Sequence, residues 1–300
     1  MLSDLHRHLD GSLRASTLAE LAAARGVAVP PDLPFSAGMG LHAALSKFAF
    51  ILSLLQQPRE VRRVAAEICE DAAAEGVTTL EIRFAPQLHR GASLDAVVDA
   101  AVEGAAGRAG IVLCGLYGEP PSLIDELVRV GARRGAAGVD LAGGPDSGQQ
   151  FSLRDYAPAF ARAAELGLGR TVHAGEGRPP QEIADAVELL HAQRIGHGTT
   201  LLDDPRVADL VIERGVTIEA CLSSNLHTGA VRSVADHPLP RWLAAGVRAC
   251  VCTDNTLLSS TTLPRELELA GRLLDAASLA RAVQFGHDAA FSATASRRAR

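Results

Sequence analysis

One feature limits this chain more than any other: short apolar runs rich in β-branched residues alternate with helical stretches almost from end to end. The pattern predicts strands over 3–9, 78–84, 111–117, 138–142, 170–174, 194–197, 216–221 and 248–253. Between them, apolar spacing predicts helices over 16–25, 41–55, 59–75, 94–108, 122–134, 154–166, 181–192, from 205 onward, 240–245, 263–274 and 278–291. Punctuation agrees with several of these ends. Gly26 and Gly76 follow helices, Ser93 precedes one, Pro205 sits at a first helical position after Asp203 and Asp204, and Ser122 and Asp125 have capping-box spacing. The stretch 29–40, rich in Pro and Gly, reads as a loop.

Repeated strand–helix units imply parallel pairing with right-handed crossovers, and eight of them imply closure into an α/β (β/α)8 TIM barrel. A doubly wound open sheet is the competing architecture. It calls for a glycine-rich phosphate turn after the first strand, and Asp10-Gly11-Ser12 is not one. No linker or composition break divides residues 1–300, so a single domain is expected, which a barrel of this length accommodates.

A barrel gathers the carboxyl ends of its strands at one mouth, and six of the eight predicted ends carry polar groups beside small residues. Strand one ends in His6-Arg7-His8-Leu9-Asp10-Gly11 and strand four in Asp140-Leu141-Ala142-Gly143-Gly144. Strand five ends in His173-Ala174-Gly175-Glu176 and strand six in Gly196-His197-Gly198. Strand seven leads to Ser223-Ser224-Asn225 and strand eight to Thr253-Asp254-Asn255.

Strand alternation turns His6 and His8 to one side and Arg7 to the other. Two such imidazoles, about 6–7 Å apart along the chain, can share one ion. Singly, His173 could be a core histidine, Glu176 a helix-start carboxylate, His197 a turn residue and Asp254 a cap. Jointly at one barrel mouth, His6, His8, His173 and Asp254 form a nitrogen–oxygen set suited to Zn²⁺ with room for water. Glu176, just beyond His173, is placed to carry a proton, and His197 to orient the water or stabilise its charge. The chemistry expected is metal-assisted hydrolysis at an electrophilic carbon.

These motifs in this order, with Glu81-Ile82-Arg83-Phe84-Ala85-Pro86 on the second strand, resemble the adenosine deaminase family of the amidohydrolase superfamily nearly end to end. The resemblance implies one zinc per chain held by His6, His8, His173 and Asp254, with Glu176 protonating N1 of a purine while hydroxide attacks C6. It implies that His197 orients and deprotonates the water and that ammonia leaves. His8 and Asp10 would lie near the ribose, with Asp10 on the 5′-hydroxyl, and the amide of Gly143 would meet N3. Where family members often carry a second aspartate facing N7, this chain has Asn255, whose amide can still form a hydrogen bond. The short 29–40 stretch implies a trimmed cover, which leaves open adenosine or 2′-deoxyadenosine, free adenine, or a larger 6-aminopurine such as aminofutalosine.

Other classes are disfavoured on the residues themselves. Two-metal amidohydrolases often bridge their ions with a lysine at the end of strand four; Lys47, the only lysine, lies in an early helix. That argues for one metal, and leaves another mononuclear amidohydrolase as an alternative. A cytidine-deaminase-type zinc site needs paired cysteines, and the five cysteines contain no CxxC pair. Their odd number suits reduced thiols in the cytoplasm. A net charge of −6 without a basic run gives no nucleic-acid footprint, and the resemblance implies a small purine nucleoside as the partner. No apolar stretch is long enough for a membrane span, and Met1 leads directly into the first strand, leaving no room for a signal peptide. His42, His89, His191, His227, His237 and His287 are expected to have no chemical duty, with His227 the one placed to line a pocket.

Overall fold

Eight strands lie side by side in chain order, every neighbouring pair parallel. They are β1 (Leu2–His8), β2 (Val77–Phe84), β3 (Gly110–Leu116), β4 (Gly138–Ala142), β5 (Gly169–Ala174), β6 (Arg194–His197), β7 (Thr217–Ala220) and β8 (Arg248–Val251). The computed structural model describes residues 1–145 and 148–291. Among these, the helices are α1 (Ala15–Ala24), α2 (Leu41–Leu54), α3 (Pro58–Ala74), α4 (Leu94–Ala105), α5 (Pro121–Arg134) and α6 (Leu153–Glu165). They continue as α7 (Gln181–Leu189), α8 (Pro205–Glu213), α9 (Leu222–His227), α10 (Leu239–Ala244), α11 (Leu263–Gly271) and α12 (Ala276–Ala289). The chain is thus the expected (β/α)8 barrel in one domain. Its seam is a parallel bridge between Arg7 and Asp254, three residues beyond the end of β8.

The helices cover the sheet because strands and helices turn apolar side chains toward each other. Ile82, Val139, Val172, Ile195 and Ile218 meet Val128, Phe160, Ile183, Val211 and Trp242, all buried in one continuous core. Each such side chain contributes about 1.5–3 kcal/mol relative to exposure. Most sequence boundaries hold within a residue or two, but α7 ends at Leu189 rather than 192 and α11 at Gly271 rather than 274, and further readings differ. The Ser122–Asp125 pair does not cap α5, because Pro120 and Pro121 start that helix earlier; Asp125 binds Arg129 and Arg162 instead. Reciprocal capping boxes occur at Gln57–Glu60 and Ser152–Asp155. Helix α4 stops at Ala105 rather than 108, where Ala106 and Gly107 turn left-handed. The segment after strand seven, to which no helix was assigned from the sequence, is a short helix, α9.

The barrel interior is polar where barrels of this type are usually aliphatic. From β2, Arg83 reaches Asp140 Oδ2 on β4 at 3.0 Å and Glu219 Oε2 on β7 at 2.9 Å. Below it, Arg194 pairs with Glu219 at 2.7 Å and with Glu81. Phe291 closes the floor: its amide donates to Glu81, and its ring lies under the Arg194 guanidinium, 3.6 Å from ring centre to Cζ. A Cβ on Gly169 would come within 2.1 Å of that ring, so only glycine admits it. Arg7, whose partner was open, turns away from the barrel and is held by Asp4 at 2.9 Å and Glu75 at 3.1 Å.

Candidate active site

The four residues expected to bind an ion converge at the mouth. His6 Nε2 and His8 Nε2 are 3.2 Å apart, and His8 Nε2 and His173 Nε2 are 3.3 Å apart. Asp254 Oδ1 lies 3.3 Å from Nε2 of both His6 and His8. The edge of a tetrahedron with metal–ligand bonds of 2.0–2.1 Å is about 3.3 Å.

The donor chemistry fits a cation as well as the spacing does. Nδ1 of His6 donates to Glu219 at 2.8 Å, and Nδ1 of His173 donates to Asp140 at about 3.1 Å. With those protons on Nδ1, the Nε2 atoms present bare lone pairs to one another and to a carboxylate oxygen. Such a cluster repels itself unless a positive ion lies among it. Buried charge agrees: Glu81, Asp140 and Glu219 are paired with Arg83 and Arg194, whereas Asp254, among the described residues, faces only the imidazoles of His6 and His8. Burial alone would raise the Asp140 and Glu219 carboxyls. The facing arginine charges and the hydrogen bonds from the histidines instead hold both well below the usual carboxylate range.

Arg83 therefore links the two carboxylates that orient two of the histidines. It entered the sequence reading only as part of a motif. A sharper signal was available: Glu81 and Arg83 are charged residues two apart on a strand meant to be buried.

Beside the cluster stand Glu176 and His197, both buried, with Glu176 Oε1 3.8 Å from His197 Nδ1. Burial pushes the His197 imidazole down to about 4, despite the opposing charges of Glu176 and Asp254, so it is neutral at pH 7. Asp254 and His197 both adopt left-handed backbone angles, with φ of 62° and 69°. Strain of this kind, about 1–3 kcal/mol per residue, tends to gather at functional sites.

A cavity of about 280 Å³ opens over these groups. His8, Asp10, Gly143, His173, Glu176, His197, Asp254 and Asn255 all line it, so of the residues given a metal, catalytic or substrate role from the sequence only His6 does not reach the cavity wall. His6 lies fully buried behind the others. Asp10 Oδ1 is buried without a partner, and burial raises its carboxyl to about 7. Asn255 packs on Gly11, where a Cβ would come within 1.8 Å of its Oδ1. The last glycine of His6-Arg7-His8-Leu9-Asp10-Gly11 is therefore required by the amide across the seam.

The outer wall is apolar. Phe35 from the 29–40 loop and Leu41, Ala44, Leu45 and Phe48 from α2 line it, opposite Leu116 and Tyr117. The short loop thus still supplies cover. His227 does not line the cavity; its ring packs 6.0 Å from Phe35, and the neighbouring Thr228 lines it instead. Missed by the sequence reading were Thr228, whose hydroxyl donates to Glu176 at 2.8 Å, and His237, 3.2 Å from Asn225.

Fold and site together describe a barrel hydrolase with a candidate metal centre. The family model described as adenosine deaminase matches residues 2–299. A "Probable adenosine deaminase" of Dictyostelium discoideum is 36% identical over 289 residues, covering 89% of this chain but only 37% of that protein. An "Adenosine deaminase" of Shewanella halifaxensis is 35% identical over 289 residues, covering 89% of this chain and 86% of that one. Among solved structures, the adenine deaminase of Arthrobacter aurescens superposes with a TM-score of 0.88 at 25% identity, over 99% of this chain and 96% of that chain. The Arabidopsis N6-mAMP deaminase gives 0.86 at 26% identity, over 99% and 95%. The chain belongs to the adenosine deaminase family, hydrolases acting on C–N bonds. Among the described residues, no helix is long and apolar enough to cross a membrane.

Proposed function

We propose that this chain is a zinc-dependent hydrolytic deaminase that converts adenosine or 2′-deoxyadenosine to the 6-oxo nucleoside and ammonia, with one ion per chain. The observation that carries this reading is the convergence of His6, His8, His173 and Asp254 beside Glu176 and His197, at the base of a cavity of about 280 Å³. Bound there, zinc would supply a water ionised near neutral pH, where free water has a pKa of about 15.7.

The chain's own residues do the rest. Glu176 gives a proton to purine N1, which makes C6 electrophilic as the water oxygen bonds to it. His197 holds that oxygen in place. The proton of the new C6 hydroxyl then passes to the exocyclic amine, the C6–N bond breaks as the C6 carbonyl forms, ammonia leaves, and Glu176 is restored by the proton the water gave up on ionising. Gly143 offers its amide to N3, and Asn255 can donate to N7 without first being protonated.

Nucleoside is favoured over nucleotide by the character of the wall. Among the described residues, no lysine or arginine lines the cavity. Arg178, behind Gly144, gives its Nε to Glu182 and its Nη2 to the His173 carbonyl, and its one unpartnered nitrogen, Nη1, is buried behind that glycine rather than presented to the cavity. A phosphate would instead meet the carboxyl of Asp10 and the phenyl rings of Phe35 and Phe48. Nucleoside is favoured over free adenine because Asp10 Oδ1 is buried and unpartnered, a cost of about 1–3 kcal/mol that a ribose hydroxyl would relieve. Five buried free thiols suit the reducing cytoplasm.

The test is metal analysis together with ammonia release from adenosine, 2′-deoxyadenosine, adenine, AMP, N6-methyl-AMP and bulkier 6-aminopurines. Adenosine and 2′-deoxyadenosine should lead. Preference for adenine, for AMP or for a larger derivative would replace the substrate, and a zinc-loaded protein inert to all of them would make it another mononuclear amidohydrolase.

A further inference from the structure

Behind the cavity wall, a chain of hydrogen bonds runs from the backbone of α10 to both proton-handling groups. We propose that Asn225 and His237 are a positioning pair that fixes the protons of the site, holding the proton of neutral His197 on Nε2 and that of protonated Glu176 on Oε2. This rests on the reading of Glu176 and His197 given above.

The direction of each bond follows from which groups can only donate. The Leu239 amide lies 3.2 Å from His237 Nδ1, and a backbone N–H has no lone pair to offer. Nδ1 must therefore be bare, so the neutral ring carries its proton on Nε2. That proton points at Asn225 Oδ1, 3.2 Å away. The Asn225 amide is thereby oriented, and its NH2 group faces the other way. Nδ2 lies 3.0 Å from His197 Nδ1 and 3.4 Å from Glu176 Oε1. An amide NH2 has two protons and no free pair, so both contacts are donated. His197 Nδ1 is then an acceptor, and its neutral ring must keep the proton on Nε2. Glu176 Oε1 already accepts from Asn225 and from the Thr228 hydroxyl at 2.8 Å, which leaves Oε2 as the oxygen free to carry an acid proton.

Reversing the amide fails at both ends. Asn225 Oδ1 would face a carboxylate oxygen, and its NH2 would force the His237 proton onto Nδ1, against the Leu239 N–H. The pair is also mechanically held. His237 is 3% exposed, and its ring packs edge-on against Trp242, 5.4 Å between centroids at 81°. Burial keeps it neutral, with its pKa lowered to about 3. Neither Asn225 nor His237 lines the cavity, so both act through Glu176 and His197.

The consequence bears on His197. With Nδ1 accepting, its neutral ring presents an N–H on the far side, where the His6 and His173 rings lie 5.0 and 5.1 Å away centroid to centroid. It is then a donor that orients and stabilises the attacking oxygen rather than the base that takes its proton.

The test uses zinc-loaded protein labelled with ¹⁵N at histidine. Side-chain ¹⁵N shifts without substrate should report Nε2–H for both His237 and His197. In Asn225→Asp, an isosteric carboxylate replaces the NH2 donor, and His197 should switch to Nδ1–H. Its kcat should fall about 100-fold or more while KM stays within about threefold, since Asn225 touches no substrate. His237→Gln, which can still donate to Asn225, should keep kcat within about tenfold; His237→Leu, which cannot, should fall as far as Asn225→Asp. Nδ1–H at His197 in the parent protein, or equal kcat in the Gln and Leu variants, would overturn the proposal. The two histidine variants carry the comparison if Asn225→Asp does not fold. Because the tautomers are read without substrate, they stand or fall independently of which purine, if any, is deaminated.

Discussion

The His8 amide donates to the Asp254 carbonyl at 2.7 Å, and the Asp254 amide donates back to His6 at 2.7 Å. The seam that closes the barrel is therefore made by the same residues whose side chains form the candidate metal centre. Closure and ion binding are one event in two parts of each residue.

From that coupling, removing the ion should loosen the whole barrel. At an ion concentration about 100 times its dissociation constant, binding to the folded state alone stabilises by about 2.7 kcal/mol. Calorimetry before and after chelation should show a lowered Tm, restored by zinc. Unchanged melting would mean that the seam does not depend on the ion.

Glu176 and His173 should separate chemistry from metal holding. Glu176→Gln should keep the zinc content and lose about 10²–10⁴ in kcat, whereas His173→Ala should lose both zinc and turnover. Normal turnover in Glu176→Gln would remove that residue as the proton donor.

Arg83 is expected to matter for stability and for metal affinity together. Replacing it by Met leaves Asp140 and Glu219 buried without their shared cation, which costs about 3–5 kcal/mol. Lys should rescue only in part, since one ammonium cannot reproduce the planar fork that meets both carboxylates and the Leu5 carbonyl. Urea unfolding and zinc titration measure the two effects. A loss below about 1 kcal/mol in Arg83→Met would show that the network is not the support described.

Acid should weaken the fold through His237. Burial lowers its pKa from the ordinary 6.5 to about 3. The unfolded chain therefore binds a proton in that window and the folded chain does not. Stability from this residue is complete above pH 6.5 and falls on acidification toward pH 3, by up to about 1.4 kcal/mol per pH unit. Urea midpoints between pH 7.5 and 4.5 should slope less steeply by one proton in His237→Gln. Identical slopes would refute the assignment.

What could be read from the sequence was whatever repeats or clusters along it. The eight strands announce themselves by period. His6 and His8, or His173 and Glu176, sit close enough in the chain to be seen as units. Asp254 was legible only because a barrel brings distant strand ends together. The remainder depends on contacts that leave no local trace. Helix α9 is six residues long and contains two serines and an asparagine, poor interior helix formers, so the sequence shows no helix there. His237 has neither periodicity nor a neighbouring motif, and its part emerges only when α10 folds against Asn225. Ser122 and Asp125 had the right spacing for a cap, yet two prolines moved the helix start.

The filled interior has one last effect, on traffic. Below His6 and His173 the described residues leave no way through: Arg83, Glu219 and Arg194 are fully buried, and Phe291 stacks beneath them. An ion and an organic ligand must then use the same door above His8. A purine seated in that doorway would trap the metal behind it, so stripping by chelators should slow when the pocket is full. Whatever enters last leaves first.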